Sequence, residues 1–249
     1  MPRLDQYLLE KGFCRSRSLG AKLIRAGYVF VDGRECIKPS ESVEEGAVVE
    51  IRENPLTRYV SRGGLKLESA LAEFEISPKG LWCVDIGAST GGFTDCLLQH
   101  GAARVYAVDS GTDQLHPSLR ENDCVVSLEN VNARFLDESM VPTSPLVVMD
   151  VSFISQGKLY PAVSKVLKED GVFISLVKPQ FEVGRENIGS GGIVKNEKVR
   201  LDCIEALKKE GEKYGLMMKK YIPSPITGGD GNTEYLALFE KQKKETKEN

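Results

Sequence analysis

The chain has 249 residues, of which 41% are hydrophobic and 28% are charged, and its net charge at pH 7 is −3. These values are ordinary for a globular protein with one large domain or two, and the net charge does not indicate a nucleic-acid binder. The six cysteines form no C-x-x-C pair, which argues against a disulfide framework and against zinc. With no apolar run near ~18 residues and no signal peptide, we expect a cytoplasmic protein.

Residues 1–53 are predicted to form a small α+β domain. The spacing of apolar residues predicts two short helices, and Ser16 or Ser18 can cap the second. The pair Asp32-Gly33 is typical of a hairpin turn between two strands. A linker is expected at 54–60.

The charge of this first segment differs from that of the whole chain. Residues 1–40 hold eight Lys and Arg residues against four Asp and Glu residues. A basic cluster can bind RNA phosphates, because structured RNA is recognised mostly through its shape and backbone; the alternative is an ordinary solvated helix face. The RNA contacts predicted here are Arg3, Arg15, Arg17, Lys22, Arg25, Arg34 and Lys38.

The second predicted domain spans residues 61–241, and from residue 80 its pattern changes to alternating strands and helices. Nearly all-apolar strands between helices indicate a parallel sheet that is covered on both faces. We expect the last strand to pair antiparallel at or near the edge of the sheet, and the polar tail 242–249 to be disordered. Strands are predicted at 82–86, 104–108, 124–126, 146–150, 172–177 and 234–240, and helices at 64–74, 93–99, 158–167 and 197–214.

A loop of small residues follows the first of these strands. Glycines there let the backbone approach a ligand and turn sharply into the next helix, and the spacing matches neither a dinucleotide fingerprint nor a P-loop. The next strand ends about twenty residues on in Asp109, which can accept ribose hydroxyls. S-adenosylmethionine, a nucleoside without pyrophosphate, fits this pattern; the alternative is an ordinary strand-to-helix turn. The predicted cofactor contacts are Asp85, Gly87, Ala88, Ser89, Thr90, Gly91, Gly92, Phe93, Thr94, Asp109 and Asp150.

Four charged residues are the candidates for catalysis. Asp150 and Lys178 each follow a buried strand, where an unpaired charge is costly to bury, so both are expected to point into the site. Glu234 begins the final strand. Lys66 lies on a helix, off the core face of that helix. Taken singly, each of the four also has an ordinary structural explanation.

Residues 2–51 closely resemble the S4 RNA-binding domain. Four further segments are similar to the TlyA family, whose members are named both haemolysin A and ribosomal RNA 2′-O-methyltransferases that act on cytidine. They are Arg58–Leu67, Asp85–Cys96, Asp150–Ser155 and Leu176–Glu182. The match is weaker at 109–115, where the family more often carries Gly-Tyr-Gly-Gln-Leu.

The resemblance implies a Rossmann-like class I methyltransferase fold of the FtsJ type. Its mostly parallel sheet would have seven strands, flanked by helices, and S-adenosylmethionine would be the cofactor, with no metal. The catalytic set Lys-Asp-Lys-Glu of that fold corresponds to Lys66, Asp150, Lys178 and Glu234. A ribose hydroxyl must lose its proton as it attacks, and a lysine can act as the base when burial and a neighbouring cation favour its neutral form. We expect Lys178 to have that role.

The substrate predicted by the resemblance is ribosomal RNA, in 23S and/or 16S RNA within a ribosomal subunit. The S4 pattern begins at Arg3. This early start favours the shorter type of the family, and that type acts on the large subunit. Arg62 and Arg185 are further predicted RNA contacts, and the glycine-rich loop 182–192 is predicted to be a lid that orders on RNA. We expect a monomer.

Two other classes of function stay open at this point. One is a non-catalytic RNA-binding assembly factor that retains only the fold. The other is a membrane-active haemolysin, against which the absence of an apolar span and of a broad amphipathic helix argues.

Overall fold

The computed structural model describes residues 1–14, 16–52, 54 and 56–243. It divides into two compact units, Met1–Tyr59 and a second that begins at Val60. The division lies inside the segment that the sequence predicts as a linker. The predicted contact Arg15 and residues 244–249 of the predicted tail lie outside the described residues.

The first unit packs two helices beside a small antiparallel sheet with the strand order β2-β1-β3. Ser16 caps the second helix, because its side chain accepts a hydrogen bond from the Leu19 N–H. Asp32 and Gly33 both have positive φ, at 50° and 77°, as a two-residue hairpin turn requires. The elements are α1 (Leu4–Glu10), α2 (Arg17–Arg25), β1 (Val29–Val31), β2 (Arg34–Glu35) and β3 (Val49–Ile51).

The second unit is a seven-stranded sheet with helices, in the order β6-β5-β4-β7-β8-β10-β9 over the described residues. The pairs among β6, β5, β4, β7 and β8 are parallel, whereas β10 is antiparallel to both of its neighbours. The predicted mostly parallel, seven-stranded α/β fold is therefore confirmed. The strands are β4 (Trp82–Ile86), β5 (Arg104–Val108), β6 (Val125–Leu128), β7 (Ser144–Met149), β8 (Leu167–Val177), β9 (Leu216–Pro223) and β10 (Tyr235–Lys241), and the helices are α3 (Gly63–Glu73), α4 (Gly92–Gln99), α5 (Pro117–Arg120), α6 (Tyr160–Val166) and α7 (Glu197–Glu212).

The predicted elements differ from these bounds in two informative places. The edge strand β9 was not predicted, because its middle is polar and exposed and an edge strand needs no continuous apolar run. The helix predicted at 158–167 is a 3₁₀ turn, Gln156–Leu159, followed by α6, which carries a proline in its first turn. The 3₁₀ turns Ala133–Phe135, Pro179–Phe181, Arg185–Asn187 and Ser190–Gly192 were also unpredicted.

The main core packs α6 and α7 against one face of the sheet. Three aromatic rings contact one another at its centre, with centroid distances of 5.2 to 6.0 Å among Tyr160, Phe173 and Phe239. This packing fixes the strands behind the carboxyl edge of the sheet. Strands β4, β5, β7 and β8 all end at that edge, and the antiparallel strand β10 begins there, so the residues that flank these ends lie close together.

Candidate active site

A cavity of about 390 Å³ opens at the carboxyl edge of the sheet. Gly87, Ser89, Asp109 and Asp150, all predicted cofactor contacts, line it together with Gln114. Ala88 lines a smaller pocket beside it. The structure therefore brings the ends of three parallel strands, β4, β5 and β7, to one cavity.

Gly87 is required where β4 passes beside the end of β7. Its φ is +82°, and a Cβ atom at this position would lie 2.4 Å from the Asp150 carbonyl oxygen. No side chain fits there, so the backbone itself forms this wall of the cavity.

Asp109 holds two loops at the opposite wall. Its carboxylate accepts hydrogen bonds from the Ser89 and Gly111 N–H groups, both at 2.8 Å. These bonds fix the carboxylate at the end of β5 where the cavity begins, and they tie the loop after β4 to the loop after β5.

Asp85 lies beneath the glycine loop and does not line the cavity. It is fully buried, and one of its oxygens accepts a hydrogen bond from the Thr94 hydroxyl at 2.7 Å. Its Oδ1 atom has no hydrogen-bond partner among the described residues. The pKa of Asp85 is raised to about 7, chiefly by burial and to a smaller extent by the nearby Asp150 and Asp109, while the Thr94 hydrogen bonds lower it.

The remaining predicted cofactor contacts shape the turn between β4 and α4. Gly91 has φ +96°, and a Cβ atom there would lie 2.3 Å from the Leu119 side chain. Gly92 and Phe93 are buried in the first turn of α4, and the Thr90 carbonyl accepts a hydrogen bond from the His116 N–H. These residues lie behind the cavity wall and do not line the cavity itself.

The four predicted catalytic residues form two lysine–carboxylate pairs. Lys178 Nζ lies 2.5 Å from Asp150 Oδ1, and Lys66 pairs with Glu234. Both members of the second pair are buried, at 7% and 3% exposure, although the sequence placed Lys66 off the core face of α3. Tyr235 pairs with Val177 in the β10–β8 register, so the two pairs lie at the same edge of the sheet.

Sequence reasoning did not assign a role to Ser152, which is a direct partner of Lys178. Lys178 Nζ donates a hydrogen bond to Ser152 Oγ at 2.9 Å, and Ser152 lines the cavity beside Asp150. The lysine is thus held by two groups of the segment that follows β7. The only signal in the sequence was the position of Ser152, two residues after Asp150.

The basic residues predicted to contact RNA are exposed wherever the structure describes them. Arg3 and Arg17 both donate to the buried carboxylate of Asp5 at 3.0 Å, and Arg34 pairs with Glu41. Those two arginines lower the pKa of Asp5 to about 2, chiefly through the Arg3 hydrogen bond. The other described members are Lys22, Arg25, Lys38, Arg62 and Arg185.

Two features are absent from the described ranges. No group of three or more His, Cys, Asp or Glu side chains within them could hold a metal ion. No helix among the described residues is both long enough and apolar enough to cross a membrane. The expectation that the reaction uses no metal stays a prediction.

Comparisons with known proteins match both units. A family model described as FtsJ-like methyltransferase matches residues 59–241, and one described as S4 domain matches residues 2–49. The Mycobacterium tuberculosis protein named 16S/23S rRNA (cytidine-2'-O)-methyltransferase TlyA is 40% identical, over 96% of this chain and 90% of that protein. The Brachyspira hyodysenteriae protein named Hemolysin A is 41% identical, over 95% of this chain and 99% of that protein. A solved Streptococcus thermophilus structure named "Putative hemolysin" is similar with a TM-score of 0.75 and 42% identity, over 97% of this chain and 88% of that one.

Proposed function

Because this chain belongs to the FtsJ-like methyltransferase family and carries an S4 domain, we propose that it methylates a cytidine ribose 2′-hydroxyl in ribosomal RNA. The substrate would be 23S and/or 16S RNA within a ribosomal subunit. The observation that carries the proposal is the meeting of two lysine–carboxylate pairs, Lys66–Glu234 and Lys178–Asp150, at the carboxyl edge of the sheet.

S-adenosylmethionine would be the cofactor, and when bound it supplies a methyl group on a positively charged sulfur that leaves readily. The cavity volume of about 390 Å³ lies within the ~300–1,000 Å³ range of small-molecule sites. Asp109 offers a fixed carboxylate to ribose hydroxyls. At Gly87 no side chain covers the backbone, which itself forms the wall of the cavity. These features fit the nucleoside part of the cofactor.

Lys178 would act as the general base for the ribose hydroxyl. Asp150 and Ser152 hold its amino group, and a positioned base of this kind contributes about 10²–10⁴ in rate. Lys66, held by Glu234, would orient the hydroxyl and add positive charge beside Lys178. Alignment of the reacting groups by the rigid strand ends would contribute further.

The S4 unit would bind RNA through phosphate contacts. Arg3 and Arg17 present exposed guanidinium groups in fixed positions because both are held by Asp5, and arginine forks suit phosphate oxygens. Arg62 and Arg185 of the second unit are proposed as further contacts.

The test is transfer of labelled methyl from S-adenosylmethionine to purified 50S and 30S subunits that lack the modification. We expect label on a cytidine ribose 2′-oxygen with the wild type and almost none with Lys178→Ala, although the variant still binds the cofactor. Comparison of the two subunits decides between 23S and 16S RNA.

Absence of label on either subunit, with cofactor binding intact, would contradict the proposal. It would favour an RNA-binding assembly factor that retains the fold without the reaction. Activity of Lys178→Ala within a few-fold of the wild type would remove Lys178 from the role of base.

A further inference from the structure

The segment 151–155, which carries Ser152 to Lys178, has almost no backbone support of its own. Among the described residues, no N–H group of this segment donates to a backbone carbonyl. Phe153, at its centre, has φ +63° and is 92% exposed. A bulky residue keeps such a conformation only where its surroundings impose it, so side chains must hold this segment in place.

Glu182, which lies outside the segment, holds it in place through two hydrogen bonds. Its Oε2 atom accepts a hydrogen bond from the Ser155 hydroxyl at 2.7 Å, and its Oε1 atom accepts one from the Gln156 N–H at 2.9 Å. The carboxylate thus caps the 3₁₀ turn Gln156–Leu159 that precedes α6 and fixes the end of 151–155. Burial raises the pKa of Glu182 above its usual value, although these hydrogen bonds act to lower it.

A short, hydrogen-bonded turn connects Glu182 to Lys178. The Phe181 N–H donates to the Lys178 carbonyl, and the Glu182 N–H donates to the Pro179 carbonyl, both at 3.0 Å. The Phe153 and Phe181 rings also contact each other, with centroids 5.1 Å apart. The turn after β8 therefore contacts the centre of segment 151–155 through Phe181 and the end of the segment through Glu182.

A buried side-chain hydrogen bond also links the capped turn to β8. The Gln156 side chain is buried, and its Oε1 atom accepts a hydrogen bond from the Ser175 hydroxyl of β8. Ser175 lies on β8, three residues before Lys178, which directly follows the strand. Gln156 therefore links the capped turn to the strand that delivers the lysine.

We propose that Glu182 is a positioning residue for the methyl transfer: it fixes segment 151–155 against the turn after Lys178 and so holds the lysine between Asp150 and Ser152. Glu182 acts through these contacts. The proposal rests on the proposed function, since it concerns the same site.

The experiment compares Glu182→Ala and Glu182→Gln with a matched control, Glu210→Gln. Glu210 and Glu182 both line a further cavity, which is separate from the one at the carboxyl edge and lies beside Ser155 and Gly157. The carboxylate of Glu210, however, pairs with Lys213 at 2.6 Å. Each variant is assayed for kcat and for the KM of the ribosomal subunit. Hydrogen exchange of the peptide that contains residues 154–160 is measured on the free protein, together with the thermal unfolding midpoint.

We expect Glu182→Ala to lower kcat by about 10- to 100-fold, as a displacement of ~1 Å does, with the subunit KM unchanged. Exchange in the 154–160 peptide rises, because the Gln156 N–H loses its acceptor. Glu182→Gln keeps an oxygen for that N–H and recovers most of both readouts. Glu210→Gln resembles the wild type in kcat and in exchange.

Unchanged kcat in Glu182→Ala, or a raised subunit KM at normal kcat, would overturn the inference. If Glu182→Ala does not fold, Ser155→Ala removes one of the two hydrogen bonds, and the inference then requires a smaller fall in kcat with normal stability. Failure of the proposed function is distinguishable, because it appears as absence of transfer by the wild type.

Discussion

The two units of this protein both pair largely shielded carboxylates with cations, but the cations differ. In the first unit Asp5 holds Arg3 and Arg17, whose side chains are 46% and 55% exposed. In the second unit Asp150 and Glu234 each hold one lysine, and those lysines are 12% and 9% exposed. Arginine keeps its charge at any ordinary pH, whereas a lysine can lose its proton. The first arrangement displays permanent charge to solvent, and the second keeps two lysines at the edge of the sheet where the cavity opens.

The comparison extends to the pKa values of two buried aspartates. Two guanidinium groups lower the pKa of Asp5 to about 2, whereas burial raises the pKa of Asp85 to about 7, although the hydrogen bonds of Thr94 act in the opposite direction. Both side chains are shielded from solvent, at 3% and 0% exposure. At Asp5 the two arginines outweigh desolvation, whereas at Asp85 desolvation is the largest influence on the pKa.

The largest effect is expected when Lys178 of the second unit is replaced by arginine, the residue type that pairs with Asp5 in the first unit. Lys178→Arg keeps a positive charge beside Asp150 but cannot accept a proton, so methyl transfer should fall by about 10²–10⁴-fold. Single-turnover transfer at saturating cofactor measures the loss, and calorimetric cofactor binding is the control. Activity within a few-fold of the wild type would show that the site needs only the charge.

The second prediction breaks the buried pair Lys66–Glu234. Lys66→Met should lower the free energy of unfolding by about 3–5 kcal/mol, because it leaves the Glu234 carboxylate buried without a cation. The double variant with Glu234→Gln should recover much of the stability but no methyl transfer. Urea unfolding gives the values.

The control for that prediction is an exposed pair, Lys198–Asp202, on α7. Lys198→Met should cost only about 0–1 kcal/mol. If the double variant Lys66→Met/Glu234→Gln were less stable than Lys66→Met alone, the two buried residues would not be acting as a pair.

The third prediction concerns the pH dependence of the free energy of unfolding, to which Asp5 and Asp85 contribute with opposite signs. The lowered pKa of Asp5 stabilises the fold above the unfolded value of about 3.9, and this contribution is lost as the pH falls through about 2. The raised pKa of Asp85 has the opposite sign: its contribution is present below about 3.9 and is lost as the pH rises through about 7.

Urea unfolding between pH 4 and pH 8 tests the sign. Asp85→Asn should remove part of the fall in stability over this range, whereas Asp5→Asn should leave the slope there unchanged and alter it only below pH 4. Identical slopes in the wild type and Asp85→Asn would mean that Asp85 carries no raised pKa.

The smallest effect is expected from changing the arginines of the first unit. Arg17→Ala should lower the slope of log affinity for ribosomal RNA against log salt by about one unit, the value for one phosphate contact. Arg17→Lys keeps the charge and should leave the slope unchanged while weakening binding through loss of the fork. Filter binding over a salt series measures both, and equal slopes in all three proteins would place Arg17 outside the RNA interface.

Local features of the fold could be predicted from the sequence. The cap at Ser16, the turn at Asp32-Gly33 and the glycine turn after β4 depend on residues that are neighbours in the chain. Such features follow from backbone geometry and nearby hydrogen bonds. The alternation of apolar strands and helices was enough to predict the mostly parallel sheet.

The arrangement of the site was decided only by the tertiary structure. Lys66 and Glu234 are 168 residues apart, and the lysine on α3 is buried against the residue that precedes β10. Their meeting depends on the order of the strands and on the reversed direction of β10, neither of which a local pattern contains. The same holds for Asp85, because its position beneath the cavity and its raised pKa come from desolvation by the assembled sheet. Sequence therefore determined which residue types and local turns were available, and long-range packing determined which charges are paired.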